Sequence, residues 1–547
     1  MPIAALRTSP TCSASSTNWP ERTGARMTDA AHTPDVDQLM AIDLAALDED
    51  AALNCVGLLI DAAADHARAD GTAHALKALD ELTKRPLRAD NRATIHYYRA
   101  NAWHNRGAEE GALQSWAWEQ PALQEEILEL RRAVRHAGFA DIPRFRQWQI
   151  RTNLGSKLSV VGRTIEAIEL WDGVLAEEPR FGKAAGNRGQ AFMNYARGLD
   201  DTGHAGALLA EAHASLSRAV APGTMHEADM ERVIAFYQGE RASIEGYLDV
   251  EAARELTRRE FPLGTTPEEI GYRRWCLNER LFLNPLNDLG SLSIAAADVI
   301  MLPGVTESSP SAMPPPIFGY FNQMKQEFVS ARYTLYRGLT ASEPHYSDKD
   351  VKLINTLDYP AYGLATERVR MAFRAAYSIL DKVAFFLNAY TAFGHKDLHR
   401  VSFRGVWYKG LDRKNGLVAR LAQHPNHAMR GLFWLSKDFY EDEFKNVTDP
   451  DAEEMAHLRN QLEHRYLQLH DMGAGQDESH SAQPGLRFSV AREDFNARTL
   501  KLFRYARAAL IYLCISVQTE ERMRRTSDGP GLTVPMLLDT WDDDWKR

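Results

Sequence analysis

At 547 residues, 44% hydrophobic and 25% charged, the chain has the make-up of an ordinary globular protein, too long for a single core. Its net charge of −10 excludes a protein that coats nucleic acid through bulk charge, so any contact with RNA must be local. Cys12, Cys55, Cys276 and Cys514 lie far apart with no CxxC spacing, which argues against a disulfide framework or a structural zinc site and fits a reducing, cytoplasmic setting.

Residues 1–36 come first. The opening 26 are rich in Ser, Thr, Pro and Arg and lack the apolar stretch of a secretory signal. They read as disordered or as a misplaced start, with Met27 the true one. No apolar run reaches the ~18 residues of a membrane span.

Residues 37–260 read as helical repeats. Leu39, Ile42, Leu44 and Leu47 mark one amphipathic helix, and Leu53, Val56, Leu59 and Ile60 lead a second that reaches residue 85. Residues 91–138 hold another pair. Leu154-Gly155, Leu158, Ala167, Trp171, Val174 and Pro179 then follow the spacing of a tetratricopeptide unit. In such a unit two helices pack through small residues and an aromatic, and proline stops the second. Gly189 and Phe192 repeat Gly155 and Leu158 after 34 residues. The next half-repeat is interrupted at Gly198–Gly203 and resumes through Ala212, Leu216, Ala219 and Pro222. Units of this kind cannot bury their apolar faces alone and stack into a curved scaffold that binds a peptide or a neighbouring domain.

Residues 261–365 read as an irregular connecting segment, with prolines at 303, 310, 314, 315 and 316 and short helical pieces. Two dense patches stand out within it, residues 272–288 and 321–333. The first mixes aromatics with Arg and Asn, the composition of a buried polar network between scaffold and C-terminal domain, or of a nucleic-acid surface using Arg273, Arg274 and Trp275.

Residues 366–525 read as a four-helix bundle. Val369, Phe373, Tyr377, Leu380, Ala384 and Leu387 stripe a first helix ending at Gly394. Residues 414–438, interrupted at His424-Pro425, make a second. Residues 450–471 make a third, and 491–523 a fourth after a polar loop, 472–485. The remaining 526–547 form an acidic tail. The expected fold is therefore all-α: a tetratricopeptide-like scaffold, an irregular middle and a C-terminal bundle.

The chemistry concentrates in the third helix, at Arg459-Asn460-Gln461-Leu462-Glu463-His464. Met455, Leu458, Leu462, Tyr466 and Leu469 form its core stripe. Asn460 and His464 stack one turn apart on roughly the opposite face, and Arg459 lies at the stripe's edge, about 140° round from His464. Cleaving RNA without metal needs a base to take the 2′-hydroxyl proton, an acid for the leaving 5′-oxygen and a cation for the phosphorane. Histidine titrates near neutral pH, and arginine's fork matches phosphate oxygens. One histidine does not easily serve as both acid and base; two copies across a two-fold axis would. An exposed Arg, Asn and His on a helix is by itself more often solvated surface.

Arg459-Asn460-x3-His464, placed late in a bundle, resembles the R-x4–6-H signature of the HEPN superfamily. The first helix, through Arg374, Tyr377, Asp381 and Lys382, is similar to that superfamily's opening helix. The whole layout resembles a HEPN subfamily with tetratricopeptide-like repeats ahead of the bundle. The resemblance implies a metal-independent endoribonuclease that dimerises through the bundle, in a bacterial defence or toxin setting. It makes Arg459, Asn460 and His464 catalytic, with no cofactor or metal, and it leaves Asp381 or Lys382 as residues that could line the site. RNA, a second copy of the chain and a peptide or protein on the repeats are the expected partners.

Arg498, Lys501, Arg504 and Arg507 form a basic row on the fourth helix; the first three are a weak candidate for RNA contact if they flank the cleft. Glu454-x-x-His457 has the spacing of a di-iron pair, but no second such pair accompanies it. Phosphate-binding loops and nucleophile elbows are absent from the sequence. The alternative function is a non-catalytic interaction or RNA-binding scaffold.

Overall fold

The computed structural model describes residues 35–111, 115–227, 230–306, 314–391, 393–439, 455, 458–462, 466–471, 487–527, 536 and 538–546. Helix dominates, and a two-stranded sheet is the one sheet among the described residues. No helix there is long and apolar enough to cross a membrane.

The chain opens with α1 (Val36–Met40), α2 (Glu49–Asp65), α3 (Ala69–Thr83) and α4 (Ala89–Glu109). Asp48 starts α2 by accepting the Ala51 amide at 2.8 Å, which satisfies one of the N–H groups that a helix start leaves unpaired. Two helices were expected over 37–85. Three form instead, because Ala67, in a left-handed conformation, breaks the run between α2 and α3. Their stripes, with Ile95 and Ala102 of α4, make a core of their own. A second core starts at Ala93 of the same helix and runs to Val517.

The repeat helices are α5 (Pro121–Arg135), α6 (Arg144–Val160), α7 (Thr164–Glu177), α8 (Gly182–Gly198) and α9 (Thr202–Ala219). At Gly155 a Cβ would lie 2.7 Å from Trp171 Nε1. Only glycine lets α6 approach that ring, whose Nε1–H donates to the Thr152 carbonyl at 3.2 Å. Thirty-four residues on, a Cβ at Gly189 would meet the Leu216 side chain at 2.7 Å. The same small-against-large contact thus recurs at the period read from the sequence. α10 (Glu231–Tyr247) and α11 (Val250–Arg258) finish this layer.

The middle of the chain departs from expectation. It contains α12 (Pro267–Asn278) and the 24-residue α13 (Pro316–Leu339). The prolines at 314–316 do not break structure; Pro316 is the first helical residue, where its missing N–H costs nothing. Phe321, Met324, Phe328, Ala331 and Leu335 bury the α13 stripe against α14 (Leu364–Thr391). Between α12 and α13 the backbone is irregular because arginines use its carbonyls. Arg507 donates to the Phe282 and Asn284 carbonyls at 2.6 and 2.9 Å and to Asp288 at 2.7 Å. Tyr195 of α8 donates to the other Asp288 oxygen at 3.0 Å. Arg332 of α13 grips Asp298 through two bonds of 2.8 Å, the Leu281 carbonyl and Tyr272. The two patches singled out in the sequence therefore pack on each other. Residues 281–288 sit wedged between repeats and C-terminal helices.

Beyond α14, residues 414–438 shorten to α15 (His427–Ser436), capped by Asn426, whose side chain accepts the Met429 amide at 3.0 Å. Residues 458–462 are helical, with Leu458 and Leu462 buried. The expected helix does not continue to 471. Tyr466–His470 is a strand, β1, paired in parallel with β2 (Arg487–Ala491). Leu467 and Leu469 are buried in it, and β2 runs directly into α16 (Arg492–Ser527). The loop 472–485 lies outside the described residues, as do residues 1–34. Near the C-terminus Trp541 and Trp545 are exposed and touch edge to face at 5.8 Å.

Candidate functional site

The site is assembled where residues 458–462 cross α14. Arg459 is half-buried, with its guanidinium carbon 5.2 Å from the centre of the Tyr377 ring. One turn further along α14 lies Asp381. Burial pushes its carboxyl above the usual aspartate range, while the Phe403 amide and the charges of Arg459 and Arg404 pull the other way. The Phe403 N–H donates to Asp381 Oδ1 at 2.9 Å. One turn before Tyr377, Arg374 donates to the Leu462 carbonyl and fixes the end of the short helical segment against α14. Leu458 and Leu462 anchor the segment's inner face, which leaves Arg459 and Asn460 half-buried at its margin.

A row of rings runs inward from this point. Tyr377 meets Phe439 edge to face at 5.7 Å, and Phe439 meets Tyr505 of α16 at 5.9 Å. Lys501 lies 5.6 Å above the Tyr505 ring and Arg163 lies 5.4 Å from it. Lys501, one of the weak RNA candidates, is thus linked to Arg459 through three aromatic side chains. Arg504 points elsewhere: it pairs with Glu279 at 2.7 Å and also bonds the Glu279 carbonyl. Arg507 is buried in the Asp288 network. The basic row is therefore divided between site and core, because positions three apart wind round a helix. Arg498 is half-buried.

His464, the third member of the expected site, lies outside the described residues, as do Glu454 and His457 of the weaker metal pattern. Of the two α14 residues that could line the site, Asp381 is beside Arg459. Lys382 instead pairs with Glu327 of α13. Arg404 was missed in the sequence. It sits in a turn after α14 with no periodic signal, and the Asp381–Phe403 bond aims that turn at the site. Among the described residues no cluster of His, Cys, Asp and Glu could hold a metal ion.

Residues 308–520 match a family model described as LA2681-like HEPN. This part of the chain is an HEPN domain. No curated protein and no solved structure matches the chain. The HEPN match begins eight residues before α13 and ends within α16, so α13, α14, α15, the 458–462 segment, the sheet and most of α16 lie inside it. The match thus takes in Arg459, Asn460 and His464 with Tyr377 and Asp381.

Proposed function

We propose that the HEPN domain is a metal-independent endoribonuclease. Arg459 holds the scissile phosphate, His464 transfers protons and Asn460 orients, leaving a 2′,3′-cyclic phosphate on single-stranded or loop RNA. The observation that carries this reading is the placement of Arg459 at the margin of an HEPN domain, over Tyr377 and beside Asp381. A guanidinium seated on a ring and facing a carboxylate is held in one orientation while remaining half-exposed, which suits a phosphate clamp. A second copy, docked through the HEPN domain, would bring the second imidazole that a concerted acid and base pair requires. The repeats would restrain the nuclease or receive a partner, in a bacterial defence or toxin role.

One observation favours a non-catalytic scaffold: the same ring and carboxylate give Arg459 internal partners, as a structural arginine would have. Incubating the purified protein with total RNA and mapping the cut ends separates the two. The nuclease reading expects cleavage that survives EDTA and drops at least 100-fold in both Arg459→Ala and His464→Ala, with thermal stability retained in the histidine variant. Absence of cleavage, or equal cleavage by wild type and both variants, leaves the scaffold. Loss of cleavage with chelator rejects the metal-free mechanism.

A further inference from the structure

Between α14 and α15, residues 394–420 carry seven lysines and arginines against two aspartates, in a chain whose net charge is −10. These residues fold into linked turns rather than a floppy loop. Asn388 clamps both backbone groups of His395, donating at 3.0 Å and accepting at 3.2 Å. His395 reaches the Val406 carbonyl at 2.7 Å, and Trp407 Nε1–H donates to the Phe403 carbonyl at 2.7 Å. Tyr408 and Leu417 pair across an antiparallel bridge, closed by the Lys409 amide on the Gly416 carbonyl at 3.0 Å. These turns enclose an open cavity of about 360 Å³, lined by Phe393, His395, Lys396, Asp397, Arg400 and Lys409 among others. Lys396, Arg400 and Lys409 are exposed, and among the described residues none of them makes an ion pair. The buried arginines Arg332, Arg507, Arg188 and Arg163, by contrast, each hold carboxylates. In the trough the three exposed cations outnumber a single carboxylate, Asp397.

We propose that this trough binds the phosphodiester backbone of a single RNA strand and guides it to the Arg459 site, an inference that rests on the nuclease reading for its purpose. The link to that site is covalent and short. Three residues beyond Arg400, the Phe403 amide donates to Asp381, and the charge of the next residue, Arg404, reaches the same carboxylate. The lining favours backbone over base. Phe393 is buried and offers no face for stacking, and the charged groups are three long cationic stems against one carboxylate, Asp397, a set that matches a phosphate backbone better than a base edge. An enclosed apolar pocket, as a mononucleotide needs, is not what these residues build.

The test uses the full-length protein and a 2′-O-methyl oligoribonucleotide, which lacks the attacking hydroxyl, so that binding is read without cleavage. Lys396, Arg400 and Lys409 are changed together to Glu, and in a second variant to Gln. Lys349 and Lys352, exposed ahead of α14, are changed to Glu as the control. Binding should weaken at least tenfold in both trough variants and stay unchanged in the control. The slope of log affinity against log salt should become shallower by about 2, since each single-strand phosphate contact contributes about 0.7. Inorganic phosphate and ATP at equal concentration should compete weakly. Wild-type affinity in trough variants with an unchanged melting curve overturns the proposal. So does the absence of RNA binding by the wild type, or ATP occupying the trough while RNA binding ignores the substitutions. His464→Ala keeps the two readings apart. Trough-dependent binding with no cleavage by any form sinks the nuclease and leaves the trough standing. Cleavage abolished by His464→Ala but indifferent to the trough variants does the reverse.

Discussion

At the scale of single residues, Asp381 sets the electrostatics around Arg459. Its carboxyl is raised above the ordinary aspartate value of 3.8 because burial outweighs the two guanidinia and the Phe403 amide. The folded state therefore holds this proton more tightly than the unfolded chain does. That contribution to stability is complete below the unfolded value and is lost as pH rises through the folded one. Asp381→Asn keeps an acceptor for Phe403 and removes the titration. Chemical denaturation from pH 3 upward should show the wild type losing stability relative to the variant as pH rises past the ordinary aspartate range. A difference that stays flat would mean that Asp381 titrates as an exposed group. The site itself was partly legible. Arg459 and His464 were marked by spacing, and Asp381 only by the resemblance of the first helix to the HEPN opening helix. Arg404 was not, because a turn residue acquires its direction from a long-range bond.

At the scale of elements, what the sequence made plain was local and periodic. Gly155 and Trp171 announced their contact by spacing, and Gly189 repeated it. Strand β1 was hidden because Leu462, Tyr466 and Leu469 fit a helical stripe as well as Leu467 and Leu469 fit a strand. Pairing with residues 487–491 decides between them, and that pairing is non-local. The contact of α15 with the turn between α6 and α7 was equally invisible. A Cβ at Gly431 would lie 2.4 Å from the Gly162 carbonyl oxygen, while Gly162 itself has φ +91° and faces the His427 carbonyl. Both are backbone atoms, so nothing can swing aside. Gly431→Ala should destabilise the fold by about 1–3 kcal/mol or more through overpacking. Gly239→Ala, in an exposed stretch of α10 with nothing within 4 Å, should stabilise it by about 0.5–1 kcal/mol. Urea denaturation of the two variants reads both signs in one experiment.

At the scale of the whole molecule, repeats and HEPN domain share one core, and adjacent residues after α15 handle burial in opposite ways. Asp438 is fully buried between Arg131 of α5 at 2.8 Å and Arg163, at the start of α7, at 2.7 Å. Lys437, also buried, lies 4.9 Å from the Phe433 ring and donates to Gln124 of α5 at 3.0 Å. Trp434 donates to the Trp118 carbonyl at 3.1 Å, so this junction is a sealed one. Removing the Asp438 charge leaves two guanidinia under-compensated in a dry interface, and Asp438→Asn should cost about 3–5 kcal/mol. Because both layers lean on that carboxylate, the loss should appear as a lowered midpoint of a single unfolding transition, not as a separate melting of the repeats. Lys437 responds with the other sign. Burial brings its ammonium down to about 7 from an ordinary 10.5, so the unfolded chain binds the proton more tightly than the fold does. The penalty is full below pH 7 and is relieved as pH rises toward 10.5. Lys437→Met fills the same space against Phe433 and Trp434 without a charge. It should raise stability most at pH 6, and the advantage should fade by pH 10. A gain independent of pH would place the lysine's proton outside the buried junction. A loss at every pH would mean that the hydrogen bond to Gln124 stabilises the junction by more than the buried ammonium costs it.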